Sequence, residues 1–186
     1  MSKYVTIGQT MACIPFLLGL AALLAYLEIQ IEGKHGWATQ LPTWRYNASG
    51  FILTGYHLSL WAFIFLLLHL VFVFVPWKPS LECFILSFFV LLLLVEDALW
   101  FFLNRGFCGK DPWRDPKFAT VPIFYFMGGV AILLLALCSR SLPWMITALI
   151  LLVAVIASSP FQIQKCTAQL PAYPPPIPLP PPSPPS

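Results

Sequence analysis

Glu96 and Asp97 stand side by side in the run LECFILSFFVLLLLVEDALWFFLN, residues 81–104, which is otherwise almost wholly apolar. In such surroundings carboxyl groups do chemistry in company: they share protons, hold a cation or pair with a base. On insertion scales an Asp at the centre of a membrane helix costs roughly 2.5–3.5 kcal/mol, while each Leu, Ile, Phe or Val returns about 0.3–0.6. The run holds sixteen such apolar residues, enough to carry both acids into a bilayer with little to spare. Ionisable groups at that depth face a bundle interior and find a partner there. Two further acids are well placed to join them. Glu28 and Glu32 close the first apolar run, one helical turn apart and hence on one face. His57 lies just inside the second run.

Composition says which elements must position these groups. The chain has 186 residues, of which 59% are hydrophobic and 9% charged; ordinary soluble domains carry about 25% charge. This predicts an all-α, integral-membrane helix bundle over residues 1–165, followed by a proline-rich tail at 166–186. The net charge of +3 is small and dispersed, which argues against a nucleic-acid surface. The N-terminal MSKYVTIGQT carries one Lys, and the apolar run after it is too long for a signal peptide and lacks an A-x-A site. It reads as a retained first span.

Five transmembrane helices are expected, or four if the last two form a hairpin that does not cross. The first covers about Met11–Ile31, with Pro15 tolerated in its first turn. The second covers about Phe51–Val75 and stops at Pro76. The third covers 81–104, with Ser80 as N-cap and Gly106 beyond its end. The fourth runs from near Pro122 to about Leu137, where Gly128-Gly129 would permit close helix approach. The fifth opens at Ser141 and Pro143 and ends at Pro160. Basic residues set the orientation. Lys34, Arg45, Arg105, Lys110, Arg114, Lys117 and Lys165 fall on one side, and Lys3, Lys78 and Arg140 on the other. The positive-inside rule then puts both large loops and the C-terminus in the cytoplasm of a cell-membrane protein. That orientation argues against glycosylation at Asn47-Ala48-Ser49 and against a Cys108–Cys166 bridge. The five cysteines form no C-x-x-C pair, so a zinc knuckle is unsupported.

Depth brings the polar residues together. The end of span one, the start of span two and the end of span three share a side. His57 sits about 9 Å in from Phe51, and Glu96 about 12 Å from Asn104, at helical rise. Glu28, Glu32, His57, Glu96, Asp97, Trp100 and Asn104 therefore form one polar cluster, with Tyr26 and Tyr56 at similar depth, while His69 lies toward the opposite side. Three readings compete. The cluster could lock the helices by pairing, with Arg45 or Arg105 as counter-charge. Glu28, His57, Glu96 and Asp97 could hold a metal, with His35 reaching in from the loop; carboxylate and imidazole suit Zn, Fe or Mn, although no H-x-x-x-H spacing is present. Or Glu28, His57 and Glu96 could relay protons or ions. Haem is disfavoured, because His57 and His69 would be about 18 Å apart on one helix. No catalytic residue and no cofactor is identified by motif.

Two segments carry a resemblance. Glu32-Gly33-x-x-Gly36-Trp37-Ala38-x-x-Leu41-Pro42-Thr43-Trp44-Arg45 and Val95-Glu96-Asp97-x-x-Trp100-Phe101-x-Leu103-Asn104 occur in order. Together they resemble a group of small, functionally unassigned polytopic membrane proteins of prokaryotes. The likeness covers spans one to three and implies membrane placement; it implies no reaction, and the proline tail falls outside it.

The tail LPAYPPPIPLPPPSPPS cannot form helix or sheet and should adopt polyproline II, with several P-x-x-P repeats. Pro171, Tyr173, Pro174 and Pro178 are candidate contacts for an aromatic groove on a partner. Short loops, no complete catalytic motif and this tail favour a non-catalytic subunit of a larger membrane complex, in contact with the lipid bilayer and other membrane-protein subunits. The alternative is a membrane-embedded metal-dependent enzyme or a proton or ion relay. Deleting residues 170–186 should weaken co-purification with partner subunits; unchanged assembly would count against a docking tail.

Overall fold

A computed structural model describes residues 7–33, 41–48, 51–104, 117–118 and 121–168, with the backbone alone at 47–48, 51–52, 117–118, 122 and 159–168. His35, Arg105, Gly106, Cys108 and the proline tail lie outside the described residues, as do the side chains of Asn47 and Cys166.

The chain is an all-α bundle: α1 (Ile7–Glu32), β1 (Arg45–Ala48), β2 (Phe51–Thr54), α2 (Gly55–His69), α3 (Val71–Phe74), α4 (Pro79–Leu103), β3 (Lys117–Phe118), β4 (Val121–Pro122), α5 (Ile123–Cys138) and α6 (Leu142–Ala168). Three helical segments, 7–32, 55–74 and 79–103, are long and apolar enough to cross a bilayer. α5 and the stretch Leu142–Ser158 of α6 are shorter apolar helices.

The acid-bearing helix α4 is the axis of the bundle. It packs against α1, α2, α5 and α6. Side-chain pairs give the directions. Phe16 stacks on Phe88, and the Asn104 amide donates to the Gly33 carbonyl at 3.2 Å, so α1 runs parallel to α4. Phe65 meets Phe89 edge-on while His69 meets Glu82, so α2 runs antiparallel to it. Tyr125 bonds Asp97, and Gly128 closes on Leu94, which makes α5 antiparallel too. Successive long helices therefore alternate up and down.

Leu17, Ala21, Phe88, Leu91, Leu92, Ile132, Ala148 and Leu152 fill the core. Trp144 is its largest side chain with no exposure. Its indole N–H donates to Ser87 Oγ at 2.7 Å, and its ring lies against Phe84 and Phe88. A Cβ on Gly129 would come within 2.9 Å of Leu152 Cδ2, and one on Gly128 within 3.1 Å of Leu94 Cδ1. The glycine pair thus lets α5 sit close to α4 and α6 at once. The outer faces carry exposed Leu23, Phe63, Leu66, Val130 and Leu134, a surface suited to lipid.

Several expected boundaries are corrected. Residues 51–54 are not the first turn of the second helix. They pair with 45–48 in an antiparallel hairpin, Arg45 opposite Thr54 and Ala48 opposite Phe51, and the helix starts at Gly55 under a Thr54 cap. α1 begins at Ile7, so Pro15 lies inside it rather than in its first turn; apolar helices tolerate this where neighbouring groups satisfy the freed carbonyl. α4 is capped at Lys78 with Pro79 at its start, so Ser80 is not the N-cap. Pro160 does not end the last helix, which continues to Ala168.

Trp144→Ala should lower stability by about 3–5 kcal/mol, because it opens a large cavity in a closed core. Ile150→Ala, on an exposed face, should be close to neutral. Detergent-solubilised unfolding midpoints will separate the two; equal midpoints would contradict this packing.

Candidate functional site

Glu28 and Glu32 project from one face of α1, as their spacing requires, and that face is turned inward. Both are buried, at 8% and 5% exposure, and Glu96 on α4 is buried at 7%. Asp97, next in the chain, turns toward α5 and accepts a hydrogen bond from the Tyr125 hydroxyl. Glu28 and Glu96 bring their carboxyl groups within hydrogen-bonding reach of each other; such a contact holds when one of them carries the proton. No N–H or hydroxyl donor among the described residues reaches Glu96 Oε1.

His57 is placed by the hairpin. Thr54, fully buried, ends β2 in extended conformation and caps α2 by accepting the His57 backbone N–H at 3.2 Å. The same Oγ1 lies 2.6 Å from His57 Nδ1. The tautomer of His57 decides the direction of this bond: Nδ1–H donates to Oγ1, or the hydroxyl donates to Nδ1. Either direction leaves Nε2 as the atom facing Glu32 Oε1, 3.2 Å away. Across the hairpin, Thr43 Oγ1 accepts the Tyr56 N–H at 3.0 Å, and the Trp44 carbonyl accepts the Gly55 N–H at 2.8 Å. A Cβ on Gly55 would sit 3.1 Å from Thr43 Oγ1, so the strand passes close over the start of α2.

Glu28, Glu32 and His57 each offer a ligand atom, and these atoms all lie within 4.8 Å of one another. They border a cavity of about 270 Å³, whose wall also includes Glu96, Asp97, Trp61 and Trp100. No lysine or arginine lines it among the described residues. Arg45 is exposed and donates to the Leu41 carbonyl at 3.3 Å.

Most of the expected cluster is brought to this cavity: Glu28, Glu32, His57, Glu96, Asp97 and Trp100. Asn104 is not on its wall. It caps α4 and ties it to the end of α1 through the Gly33 carbonyl, where Gly33 takes a positive φ of 68°. Tyr26 faces outward. His69 sits at the other end of the bundle, where its Nε2 meets Glu82 at 3.0 Å and Trp77 donates to the same carboxylate at 2.9 Å. Of the four residues expected to hold a metal, Glu28 and His57 belong to the tightest group. Glu32 completes it, while Glu96 and Asp97 stand behind on the same wall. Three contributors escaped the sequence reading. Trp61 follows His57 by one helical turn, a signal that was present. Tyr125 lies three residues past Pro122, at the depth of Asp97. Thr54 could be found only by recognising the hairpin. Cys13, Cys83 and Cys138 are free thiols away from the cavity.

Comparisons with protein-family models, with curated proteins and with solved structures find no match.

Thr54→Val removes both the cap and the Nδ1 partner and should destabilise by about 1 kcal/mol or somewhat more. Thr54→Ser keeps the hydroxyl and should stay near wild type. Thermal midpoints in detergent test this; a Val variant as stable as the Ser variant would show that the cap contributes nothing.

Proposed function

We propose that the chain is an integral-membrane protein whose cavity holds a divalent cation on Glu28, Glu32 and His57 for metal-dependent chemistry at the cytoplasmic leaflet. The observation that carries this reading is convergence around a cavity: three ligand atoms, from Glu28, Glu32 and His57, within 4.8 Å of one another. Charge supports it. Two ionised carboxylates neutralise a divalent ion, and a neutral imidazole adds a donor without adding charge. Geometry supports it as well. With metal–ligand bonds of about 2 Å, neighbouring ligand atoms on a four-coordinate ion lie roughly 3.3 Å apart, and His57 Nε2 and Glu32 Oε1 are 3.2 Å apart. An imidazole with two carboxylates suits Zn, Fe or Mn. With Nε2 on the ion, Nδ1 carries the proton and donates to Thr54 Oγ1, the contact by which ring orientation at metal sites is fixed. Placement in the cell membrane with a cytoplasmic C-terminus rests on the distribution of Lys and Arg. Likeness to the small polytopic prokaryotic proteins rests on the two quoted segments, which meet at the Asn104–Gly33 bond. A role as a subunit of a larger complex rests on the proline tail and is compatible with a metal site.

Purified protein should carry about one equivalent of divalent metal by elemental analysis. Glu32→Ala and His57→Ala should each lose it, while Asn104→Ala, off the wall, should keep it. Metal-free wild-type protein after purification in metal-replete buffer would sink the reading. In that case, pH-dependent ion flux in liposomes that Glu96→Gln abolishes would favour the relay.

A further inference from the structure

The cavity is not only a cage for an ion. From its acidic end its wall continues along α4 through Leu94, Leu93 and Val90, with Phe124 and Gly128 of α5 alongside. Val90 lies six residues before Glu96, about 9 Å at helical rise. One end of the space is therefore carboxyl-rich and the other is hydrocarbon. Its volume of about 270 Å³ is many times the roughly 10–15 Å³ that a single water needs on the same kind of measure. That is room for a polar head and one stretch of chain, not for a two-chain lipid.

Two more observations bear on what enters. Glu96 is 7% exposed, borders the cavity, and its Oε1 receives no donor from the described residues. A buried acceptor of this kind costs about 1–3 kcal/mol while it stays unpaired. In addition, α2, which supplies the His57 and Trp61 side of the wall, buries only Ile64 of its described residues. That side of the wall is therefore a single helix with its other face turned outward.

We propose, resting on the metal reading above, that the cavity binds a single-chain membrane amphiphile. Its head carries a hydrogen-bond donor, a hydroxyl or an amine, that is given to Glu96, and its chain lies along Val90, Leu93 and Leu94. Once a divalent ion has neutralised Glu28 and Glu32, Asp97 on the same wall still favours a neutral or cationic head over an anionic one.

The test uses the full chain, metal-loaded, in lipid nanodiscs, with dodecanol, dodecylamine and dodecanoate as probes. Native mass spectrometry of the released protein reads both metal and adduct. The expected result is a single adduct with the alcohol or the amine, and at least tenfold less with dodecanoate. Leu93→Trp, which fills the apolar arm, should cut the adduct at least tenfold while metal content stays at one equivalent; Val90→Trp is the second variant should the first fail to fold. Glu96→Leu should lose the adduct, and Glu96→Gln, which keeps an acceptor, should retain it. Equal adducts from all three probes, or an adduct undiminished in a folded, metal-loaded Leu93→Trp or Val90→Trp protein, would overturn the proposal. Metal without any adduct would sink the amphiphile and leave the metal reading standing; an adduct without metal would do the reverse.

Discussion

Four carboxyl groups and one imidazole share a space with little access to water, and the rest of the molecule is arranged around that fact. An ionised carboxylate moved into an apolar interior pays several kcal/mol even after relaxation. Glu28, Glu32 and Glu96 are all buried. Such a group is sustained by protons, by donors or by a cation, and the described residues supply some of these. Asp97 has Tyr125, and Glu32 has His57. Glu28 and Glu96 have each other at hydrogen-bonding reach. A divalent ion resolves the remainder with one added group, which is why convergence and charge lead to the same reading.

The opposite end of the bundle shows what purely structural pairing looks like in this protein. There His69 is fully engaged, with Nδ1 at the Phe65 carbonyl and Nε2 at Glu82, and Trp77 takes the second oxygen of that carboxylate. One imidazole, one acid and one indole close on each other, partly exposed. At the acidic end, among the described residues, four acids border the cavity with one imidazole. The surrounding architecture holds that imbalance in place: Gly129 and Gly128 bring α5 close, Asn104 ties α4 to α1, and Thr43 and Thr54 fix the start of α2.

Much of this could be read in the sequence, because lipid-length apolar runs leave few polar residues to place. Counting residues inward from each predicted end put Glu28, Glu32, His57, Glu96 and Asp97 at one depth, and the side-chain contacts agree. The same count, applied to the fourth helix, would have found Tyr125. The hairpin was missed because Phe51–Thr54 is as apolar as the helix that follows, and hydropathy alone does not separate strand from helix. The informative residues were Ser49-Gly50, a turn signal, and Thr54, a cap. Pro15 and Pro160 both lie inside their helices. Proline disfavours a helix interior, but packing and neighbouring groups carry α1 and α6 through it. Which carboxyls lie nearest His57 depends on helix rotation, and no spacing rule supplies that: Glu32, not Glu96, is its partner.

The most direct test of the metal centre is X-ray absorption at the metal edge of the loaded protein. The account predicts a first shell of oxygen and nitrogen at about 2.0–2.2 Å, with outer-shell scattering from one imidazole. Sulfur in the first shell, or a first shell with no imidazole signature, would place the ion elsewhere and contradict it.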